Sequence, residues 1–260
     1  MTSVATRPAV GELLRDWRLR RRLSQLDLAG DAGVSARHLS FVETGRASPS
    51  RDMVLHLAEQ LEVPLRERNE LLLAAGFAPV YGRRALDDPD MSAVRRAVDL
   101  VLAAYEPYPA VVVDRSWQLV AGNRSVALLT EGVAEELLAP PANVLRLSLH
   151  PDGLAPRILN LPQWRRHVLH RLDREAQLTG DPQLRALHRE LAALPGGTDR
   201  TPPDGIAVPL RVRAGDDVLS FLSTVTTFGT AVDLTAAELS IEAFLPADPR
   251  TAEVLRGLAP

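Results

Sequence analysis

Apolar side chains recur at helical spacing through the first part of the chain, in stretches separated by turn sequences. Val10, Leu13, Leu14 and Trp17 lie three or four positions apart, so they fall on one face of an α-helix. Serine residues precede the next stretches, where a side-chain hydroxyl can accept a free N–H group of the first helical turn. Glycine and proline residues close or open the other segments. The pattern predicts five short helices that pack as a compact bundle over residues 8–77.

The pattern changes beyond residue 91, where strands and helices both occur. Residues 78–91 lack periodicity and contain two prolines, so this segment is predicted to be a linker. Strands rich in Val, Ile, Thr and Phe are predicted at residues 110–114, 117–121, 206–212, 218–228 and 239–245. Helices are predicted at residues 91–105, 123–129 and 164–194, the last broken at Gly180. This order predicts an α+β domain over residues 92–256, with one sheet and helices on one side of it.

The composition supports two ordinary globular domains and excludes some kinds of chemistry. A length of 260 residues suits two domains, and the formal net charge is −3. There is no cysteine, which excludes disulfides, thiolate metal ligands and a cysteine nucleophile. All basic residues are arginine, so a catalytic lysine is excluded as well. Basic residues outnumber acidic ones before residue 85 and acidic residues predominate after it, so only the first domain is expected to meet a polyanion.

No stretch of the sequence resembles a membrane-spanning segment. The apolar runs stay well below the roughly 18 residues that a membrane helix needs. The start of the chain also lacks the apolar core of a signal peptide. We therefore expect a cytoplasmic protein without membrane insertion.

The segment from Gln25 to Glu43 has the spacing of a helix-turn-helix unit. Ala29 is small, as is needed where two helices cross closely, and Gly33 supplies the positive φ of the turn between them. Ser35 follows as a cap for the next helix. The apolar residues predicted to face the core are Leu26, Val34, Leu39 and Val42.

With these residues the chain resembles, over residues 10–76, the XRE family of lambda-repressor-like DNA-binding domains. The resemblance implies an all-α, five-helix bundle whose third helix lies in the major groove of a palindromic operator. It also implies an ion pair between Arg18 and Glu43. Packing alone favours the same pair, because a charge on an inward face needs a partner.

The resemblance and the helix periodicity together place candidate DNA-binding residues on and around the third helix. Some of them are expected on its groove face, where an arginine can contact guanine with two hydrogen bonds. The others lie at helix N-termini or are nearby arginines, both of which favour phosphate groups. The candidates are Gln25, Ser35, Ala36, Arg37, His38, Phe41, Arg46, Ser50 and Arg51. The alternative for the charged members is an ordinary solvated helix face.

The second domain lacks recognisable catalytic or metal-binding motifs. It has no G-x-S-x-G element, no glycine-rich phosphate loop and no H-E-x-x-H sequence. His167 and His170 could face a metal together, but no third ligand lies at a suitable spacing and arginines surround the pair. We therefore expect neither an enzyme nor a bound metal or cofactor.

Sequence pieces along the second domain, in their order behind a helix-turn-helix unit, resemble the MmyB-like ligand-binding domain of bacterial regulators. They are residues 109–114, 117–123, 143–147, 219–229 and 232–248. The resemblance implies a PAS-like fold, in which a five-stranded antiparallel sheet carries helices over one face. It also implies a ligand, because some members of the family are thought to hold a fatty acid or a similar lipophilic molecule between sheet and helices.

Candidate ligand-binding residues combine an apolar sheet face with a few polar groups, as an orienting pocket requires. Large apolar side chains are expected to line a gap between the sheet and the long helical segment, and polar ones to hold a ligand head group. The candidates are Trp117, Asn123, Arg146, His150, Trp164, Phe221, Ser223 and Thr227. The alternative is a closed core without a cavity.

These features predict a homodimeric transcriptional regulator that binds a palindromic operator on double-stranded DNA. A small lipophilic effector, such as a fatty acid, would bind the second domain and alter operator affinity as far as it prefers one dimer geometry. One alternative is a ligand-independent dimeric repressor, whose second domain serves only dimerisation or protein interaction. Another is an enzyme fused to a DNA-binding domain, for which the sequence offers no catalytic constellation.

Overall fold

The computed structural model describes residues 8–197 and 207–258 of the chain. They form two compact units that divide between Arg83 and Arg84, with Val232–Leu234 grouped with the first unit. A helical unit followed by a mixed unit is the layout that the sequence predicts. The strand predicted at 206–212 begins at Ile206, which lies outside the described residues.

Residues 8–83 contain five helices, as the hydrophobic spacing predicts. Ser24, Ser35 and Ser50 cap three of them, and each hydroxyl accepts a hydrogen bond of 3.1, 3.1 or 3.2 Å from the N–H group three residues further on. Gly33 has a φ of +62°, which makes the turn between the second and third helices. The helices are α1 (Val10–Arg20), α2 (Gln25–Asp31), α3 (Ala36–Glu43), α4 (Arg51–Gln60) and α5 (Leu65–Ala74).

The core of the first unit confirms most of the helix-turn-helix interpretation. Ala29, Leu39 and Val42 are buried, and Val34 packs against this core from a half-buried position. The prediction that Leu26 faces the core is wrong, because this residue is 73% exposed. Helix α2 turns Leu28 inward instead, and two positions along a helix of 3.6 residues per turn reach its opposite side.

The second unit combines a five-stranded antiparallel sheet with helices, which confirms the predicted fold class. Its strands lie in the order β2-β1-β5-β4-β3. The strands are β1 (Ala110–Val113), β2 (Leu119–Gly122), β3 (Leu210–Ala214), β4 (Asp217–Thr227) and β5 (Ser240–Pro246). The helices are α6 (Ser92–Tyr105), α7 (Ala127–Thr130), α8 (Glu135–Leu138), α9 (Val144–Leu149), α10 (Leu161–Thr179), α11 (Pro182–Ala193), α12 (Leu234–Glu238) and α13 (Pro249–Leu258).

Helices cover both faces of this sheet, which corrects the prediction of helices on one side. Val111 and Val113 of β1 belong to a core shared with α9, α10 and α11. Ala110 and Val112 point to the other face, where they join a second core that includes residues of α6. The reason is visible in β1 itself, because an uninterrupted apolar strand needs cover on both of its faces.

The segment predicted as a linker is held by specific contacts at both of its ends. Asn69 of α5 accepts hydrogen bonds from the N–H groups of Val80 and Tyr81, at 3.0 and 3.1 Å, and donates to the carbonyl oxygen of Tyr81 at 2.8 Å. Within the second unit, Arg95 donates to the carbonyl oxygen of Leu86 at 2.6 Å. Most of residues 78–91 therefore extends one unit or the other.

None of the helices in the described ranges has the length and apolar character needed to cross a membrane. The longest, α10, carries charged residues along its whole length.

Candidate DNA-binding surface and ligand cavity

Helices α1, α2 and α3 meet at one buried ion pair. Arg18 donates to Glu43 through Nε and Nη2, which lie 2.7 Å from Oε1 and 2.9 Å from Oε2. Its Nη1 donates to the carbonyl oxygen of Leu23 at 2.8 Å, and Nε2 of Gln25 donates to Oε2 of Glu43 at 2.7 Å. The pair that the sequence predicts is therefore present, two-pronged and supported by further hydrogen bonds.

Hydrogen bonding keeps this buried pair charged. Burial acts to raise the pKa of Glu43, but the hydrogen bonds from Arg18 and Gln25 outweigh it and hold that pKa below its ordinary value. The hydrogen bond to Glu43 in turn raises the pKa of Arg18. The pair is thus a charged clamp that sets α3 against its two neighbouring helices.

The outer face of α3 carries the candidate base-reading residues. Arg37 is exposed, and its guanidinium carbon lies 5.4 Å from the ring centre of Phe41. His38 and Phe41 are half-buried, and Ala36 packs against the core of the unit. Helix α3 therefore presents a cation and an aromatic ring side by side. Such a pair suits the base edges and thymine methyl groups of the major groove.

The candidates for phosphate contact have different surroundings. Arg46 and Arg51 are exposed. Ser35 and Ser50 are exposed too, but each hydroxyl accepts a hydrogen bond from the helix that it caps. Gln25 is half-buried and its amide is bonded within the ion-pair network, a structural role that the sequence does not reveal.

The second unit encloses a cavity of about 90 Å³ between its sheet and helices α7, α9 and α10. A water molecule needs about 10–15 Å³ of such space, so the cavity has room for a small molecule. Its wall is mainly apolar. The polar side chains in the wall are Thr130, Ser148, His167, Arg171 and Glu242. The gap that the sequence analysis expects between sheet and long helical segment is thus present.

Helix α10 contributes a stripe of side chains to this wall. Trp164, His167, Val168 and Arg171 lie at the spacing that places residues on one helix face, and all four line the cavity. Nε1 of Trp164 donates to Oγ of Ser148 at 2.8 Å, which fixes the indole against α9. Burial, and next the charge of Arg171, lower the pKa of His167, so its imidazole is neutral at neutral pH.

An ion pair crosses from this helix to the sheet. Glu242 of β5 is 5% exposed and lies on the inward sheet face, opposite Val111 in the strand register. Nη1 of Arg171 donates to its Oε1 at 2.9 Å. Both side chains line the cavity, so the pair supplies its charged end.

Trp117 contacts both this ion pair and a second, half-buried carboxyl group. The guanidinium carbon of Arg171 lies 4.5 Å from its ring centre, which is a cation–π contact. Its Nε1 donates to Oε2 of Glu175 at 3.1 Å. Burial raises the pKa of Glu175, and the hydrogen bond from Trp117 opposes that shift only in part.

Of the eight ligand-binding candidates, two line the cavity: Trp117 and Trp164. Phe221 is fully buried in the same core and packs edge-on against Phe244, which does line the cavity. Ser223 and Thr227 lie further along β4, and Thr227 is exposed. These three residues are therefore near the cavity wall without forming it.

The remaining polar candidates are engaged elsewhere. Asn123 accepts a hydrogen bond from the N–H group of Ala110 at 3.0 Å and donates to the carbonyl oxygen of Tyr108 at 2.8 Å, so it ties loop to strand. Arg146 forms a two-pronged surface pair with Glu190. Nδ1 of His150 accepts a hydrogen bond from a backbone N–H group at 3.1 Å, outside the cavity.

The polar cavity residues are not among the predicted site residues, although the sequence contains a signal for two of them. Arg171 lies seven positions after Trp164, on the apolar stripe of an otherwise amphipathic helix. Glu242 is the charged residue in the apolar strand Ser240–Pro246. A charge at a position that the pattern assigns to the core needs a partner or a ligand.

Metal binding finds no support in the described ranges, where no three His, Asp or Glu side chains are grouped to hold an ion. His167 lines the cavity, whereas His170, its predicted companion, is exposed.

The described residues thus form a helix-turn-helix unit and a second unit with a mainly apolar cavity, the two parts expected of a transcription regulator with a ligand-binding domain. The comparisons with known families agree. The model of the MmyB-like transcription regulator ligand binding domain matches residues 94–258, and that of a helix-turn-helix domain matches residues 9–71. The chain belongs to the MmyB-like transcription regulators, which confirms both resemblances drawn from the sequence.

Curated relatives carry matching descriptions. An uncharacterized HTH-type transcriptional regulator of Mycobacterium tuberculosis (strain H37Rv) is 30% identical over 133 residues, which are 51% of this chain and 45% of the relative. A protein of the same description from Mycobacterium bovis has the same identity and coverage. The matched region thus spans less than half the length of these relatives.

Proposed function

We propose that this protein is a transcriptional regulator that binds a palindromic operator as a homodimer and responds to a small lipophilic, fatty-acid-like effector. Helix α3 would enter the major groove, and the effector would occupy the cavity of the second unit. By thermodynamic linkage, the effector changes operator affinity only if it binds more tightly to one dimer geometry than to another. We also infer a PAS-like fold for the second unit, on the strength of its five antiparallel strands.

The observation that carries the DNA-binding part is the outer face of α3. The clamp between Arg18 and Glu43 fixes this helix, and its exposed side presents Arg37 beside Phe41. An arginine in the major groove discriminates guanine from other bases by about 1–3 kcal/mol. The exposed Arg46 and Arg51 follow α3 and suit phosphate contacts that hold the unit in register.

The cavity supports the effector part. Its wall is apolar with a few convergent polar groups, which is the usual character of a small-molecule site. The ligand-independent alternative predicts a tightly filled core in its place.

A binding-site selection on random DNA tests the base-reading assignment. Arg37→Ala should relax the base preference at one position of each half-site. Arg46→Ala is the matched comparison, and it should weaken binding to all sequences about equally and reduce its salt dependence. An unchanged base preference in Arg37→Ala would show that the assigned groove register is wrong. A selected site without two-fold symmetry, or a monomer in sedimentation on that site, would rule out the homodimer.

Thermal unfolding with fatty acids of several chain lengths tests the effector. A ligand that binds the folded state raises the melting temperature, and native extraction with mass spectrometry identifies any bound molecule. Val133→Trp should fill the cavity, which Val133 lines, and abolish the shift without unfolding the protein. Val218→Trp, the same change at an exposed position of β4 that does not line the cavity, should keep the shift. If no lipid stabilises or co-purifies with the protein, the second domain serves dimerisation or protein interaction only.

A further inference from the structure

We propose that the cavity selects an effector with an uncharged head group that both donates and accepts hydrogen bonds, such as a primary amide, over a carboxylate. This inference rests on the proposed effector function and narrows it. The tail would be apolar, as in a fatty acid, but the head would carry no charge.

The hydrogen bonding of Glu242 is incomplete on the side of the cavity. Its Oε1 accepts the hydrogen bond from Arg171, while its Oε2 has no hydrogen-bond partner among the described residues. Glu242 is 5% exposed, and its neighbours on the same sheet face include the apolar Val111 and Phe244, which also line the cavity. Because a carboxylate oxygen in a mainly apolar wall needs a hydrogen bond from water or from a ligand, the site favours a ligand that donates to Oε2.

Arg171, for its part, has hydrogen-bond donors that the described part of the protein does not use. A guanidinium carries five N–H donors, and within the described ranges one hydrogen bond is formed by this side chain. Trp117 covers its face at 4.5 Å and holds the group at the cavity wall. The Arg171 side chain is 31% exposed, so water can hydrate part of it, and an N–H group at the cavity wall can donate to a ligand atom that accepts hydrogen bonds.

The charges at this end of the cavity cancel, which decides between kinds of head group. Arg171 and Glu242 together are neutral, and the third polar neighbour, His167, is held neutral by burial. A ligand carboxylate would place a second negative charge beside Glu242 in surroundings of low polarity, where like charges repel strongly. An ammonium group would meet Arg171 in the same way. A primary amide offers one acceptor and two donors without charge, and so complements both residues.

The contrast with Arg146 supports this assignment. Arg146 binds Glu190 through two N–H groups and two carboxylate oxygens, at the protein surface. That pair uses both carboxylate oxygens, whereas the cavity pair uses one. The cavity pair keeps unused donors and an acceptor, and both of its side chains line the cavity.

Calorimetric titration of the full-length protein with octanamide and octanoate tests the proposal, since the two probes share a tail and differ in head-group charge. At neutral pH we expect octanamide to bind at least about tenfold more tightly, a difference of about 1.4 kcal/mol. Glu242→Gln removes the like charge and leaves Arg171 unpaired, so the preference should reverse toward octanoate. Asp217→Asn is the matched control, because Asp217 pairs with Arg250 on the surface at 2.9 Å. It should leave the preference unchanged.

The outcomes separate this inference from the proposed function. Tighter binding of octanoate than of octanamide by the unsubstituted protein overturns the inference and leaves a lipophilic effector in place. Binding of neither these probes nor longer amphiphiles overturns the effector function itself. If Glu242→Gln fails to fold, as judged by circular dichroism, the ratio of the two affinities in the unsubstituted protein decides the question alone.

Discussion

Among the described residues, each unit of this protein contains an arginine–glutamate pair with a buried carboxylate that joins a helix to another element. The two pairs, Arg18 with Glu43 and Arg171 with Glu242, differ in how completely they are hydrogen-bonded. Arg18 and Glu43 are joined by two hydrogen bonds, and Leu23 and Gln25 supply further ones. Arg171 and Glu242 are joined by one hydrogen bond beside a cavity. The same two residue types therefore form a closed structural clamp in one unit and an open, polar cavity end in the other.

The difference determines what each ion pair can offer a ligand. A pair whose donors and acceptors are satisfied by the protein has nothing left to offer a ligand. In a pair with unused donors or acceptors, the free-energy cost of removing these groups from water is only partly offset by the protein. A bound molecule that hydrogen-bonds to them can offset the rest. Burial of the carboxylates does not distinguish the cases, since Glu43 and Glu242 are 6% and 5% exposed. The arginines do differ, because the side chain of Arg18 is 8% exposed and that of Arg171 is 31% exposed.

The largest expected effect comes from breaking the closed pair. Arg18→Met leaves the charge of Glu43 buried without its partner and should cost about 3–5 kcal/mol in the free energy of unfolding. The double variant Arg18→Met/Glu43→Leu should recover part of that loss, because the residues interact directly. Chemical denaturation measures the loss in the single variant and the recovery in the double variant. Hydrogen exchange of peptides from α1 to α3 shows whether the change is located at the ion pair. Additive losses would contradict the closed clamp.

The next effect tests how closely α1 approaches α3 at this clamp. A Cβ atom on Gly11 would lie 2.3 Å from the carbonyl oxygen of Val42 and 2.8 Å from that of Glu43. Gly11→Ala should therefore force the helices apart and cost about 1–3 kcal/mol. Gly30→Ala is the control, since a Cβ there meets nothing within 4 Å and alanine favours the helix. Equal thermal shifts for the two variants would mean that the contact is not tight.

The open pair should be less sensitive. Arg171→Met leaves Glu242 beside the cavity, where water can hydrate it, so the loss should be about 1–2 kcal/mol and below that of Arg18→Met. Denaturation of the two variants under the same conditions makes the comparison. A loss as large as that of Arg18→Met would show that the cavity end is closed in solution.

The smallest effect is a difference in pH dependence between the units. The pKa of His167 is lowered in the folded state, so its contribution to stability is present above its ordinary value of about 6.5 and is lost as the pH falls below it. Glu43 also has a lowered pKa, so its contribution is lost only at more acidic pH, below the ordinary carboxyl range. The free energy of unfolding should be measured from neutral pH downward for the unsubstituted protein and for each variant. The difference caused by His167→Gln should change first, near the ordinary histidine range, and the difference caused by Glu43→Gln should change at more acidic pH. If the two variants change the pH dependence of unfolding in the same pH range, the assignment of the two windows to His167 and Glu43 is wrong.

Local features of the fold were predictable because neighbouring residues produce them. Ser24, Ser35 and Gly33 act within one turn of chain, and their caps and positive φ are present as the spacing indicates. The clamp between Arg18 and Glu43 was predictable from the family pattern and from the need to pair a buried charge. Leu26 shows the limit of that reasoning, because its apolar character does not tell which side of α2 faces inward.

The position of the cavity between sheet and helices was predictable from the sequence, but the polar residues that line it were not. Trp117 and Trp164 line it, as the apolar pattern suggested, whereas Asn123, Arg146 and His150 have partners elsewhere. Their partners lie far along the chain or in a backbone turn, and a sequence does not show which polar groups find each other.

The sequence by itself determined the helix-turn-helix unit, the strand-rich second unit and the family to which the chain belongs, because these follow from local spacing and residue type. The tertiary structure alone decided that α6 covers the second sheet face and that Arg171 meets Glu242 across 71 residues of chain. Such contacts depend on how separate elements pack, and packing is set by shape and charge over the whole unit. The partly hydrogen-bonded ion pair at the cavity is a result of that packing, so the sequence pattern alone does not reveal it.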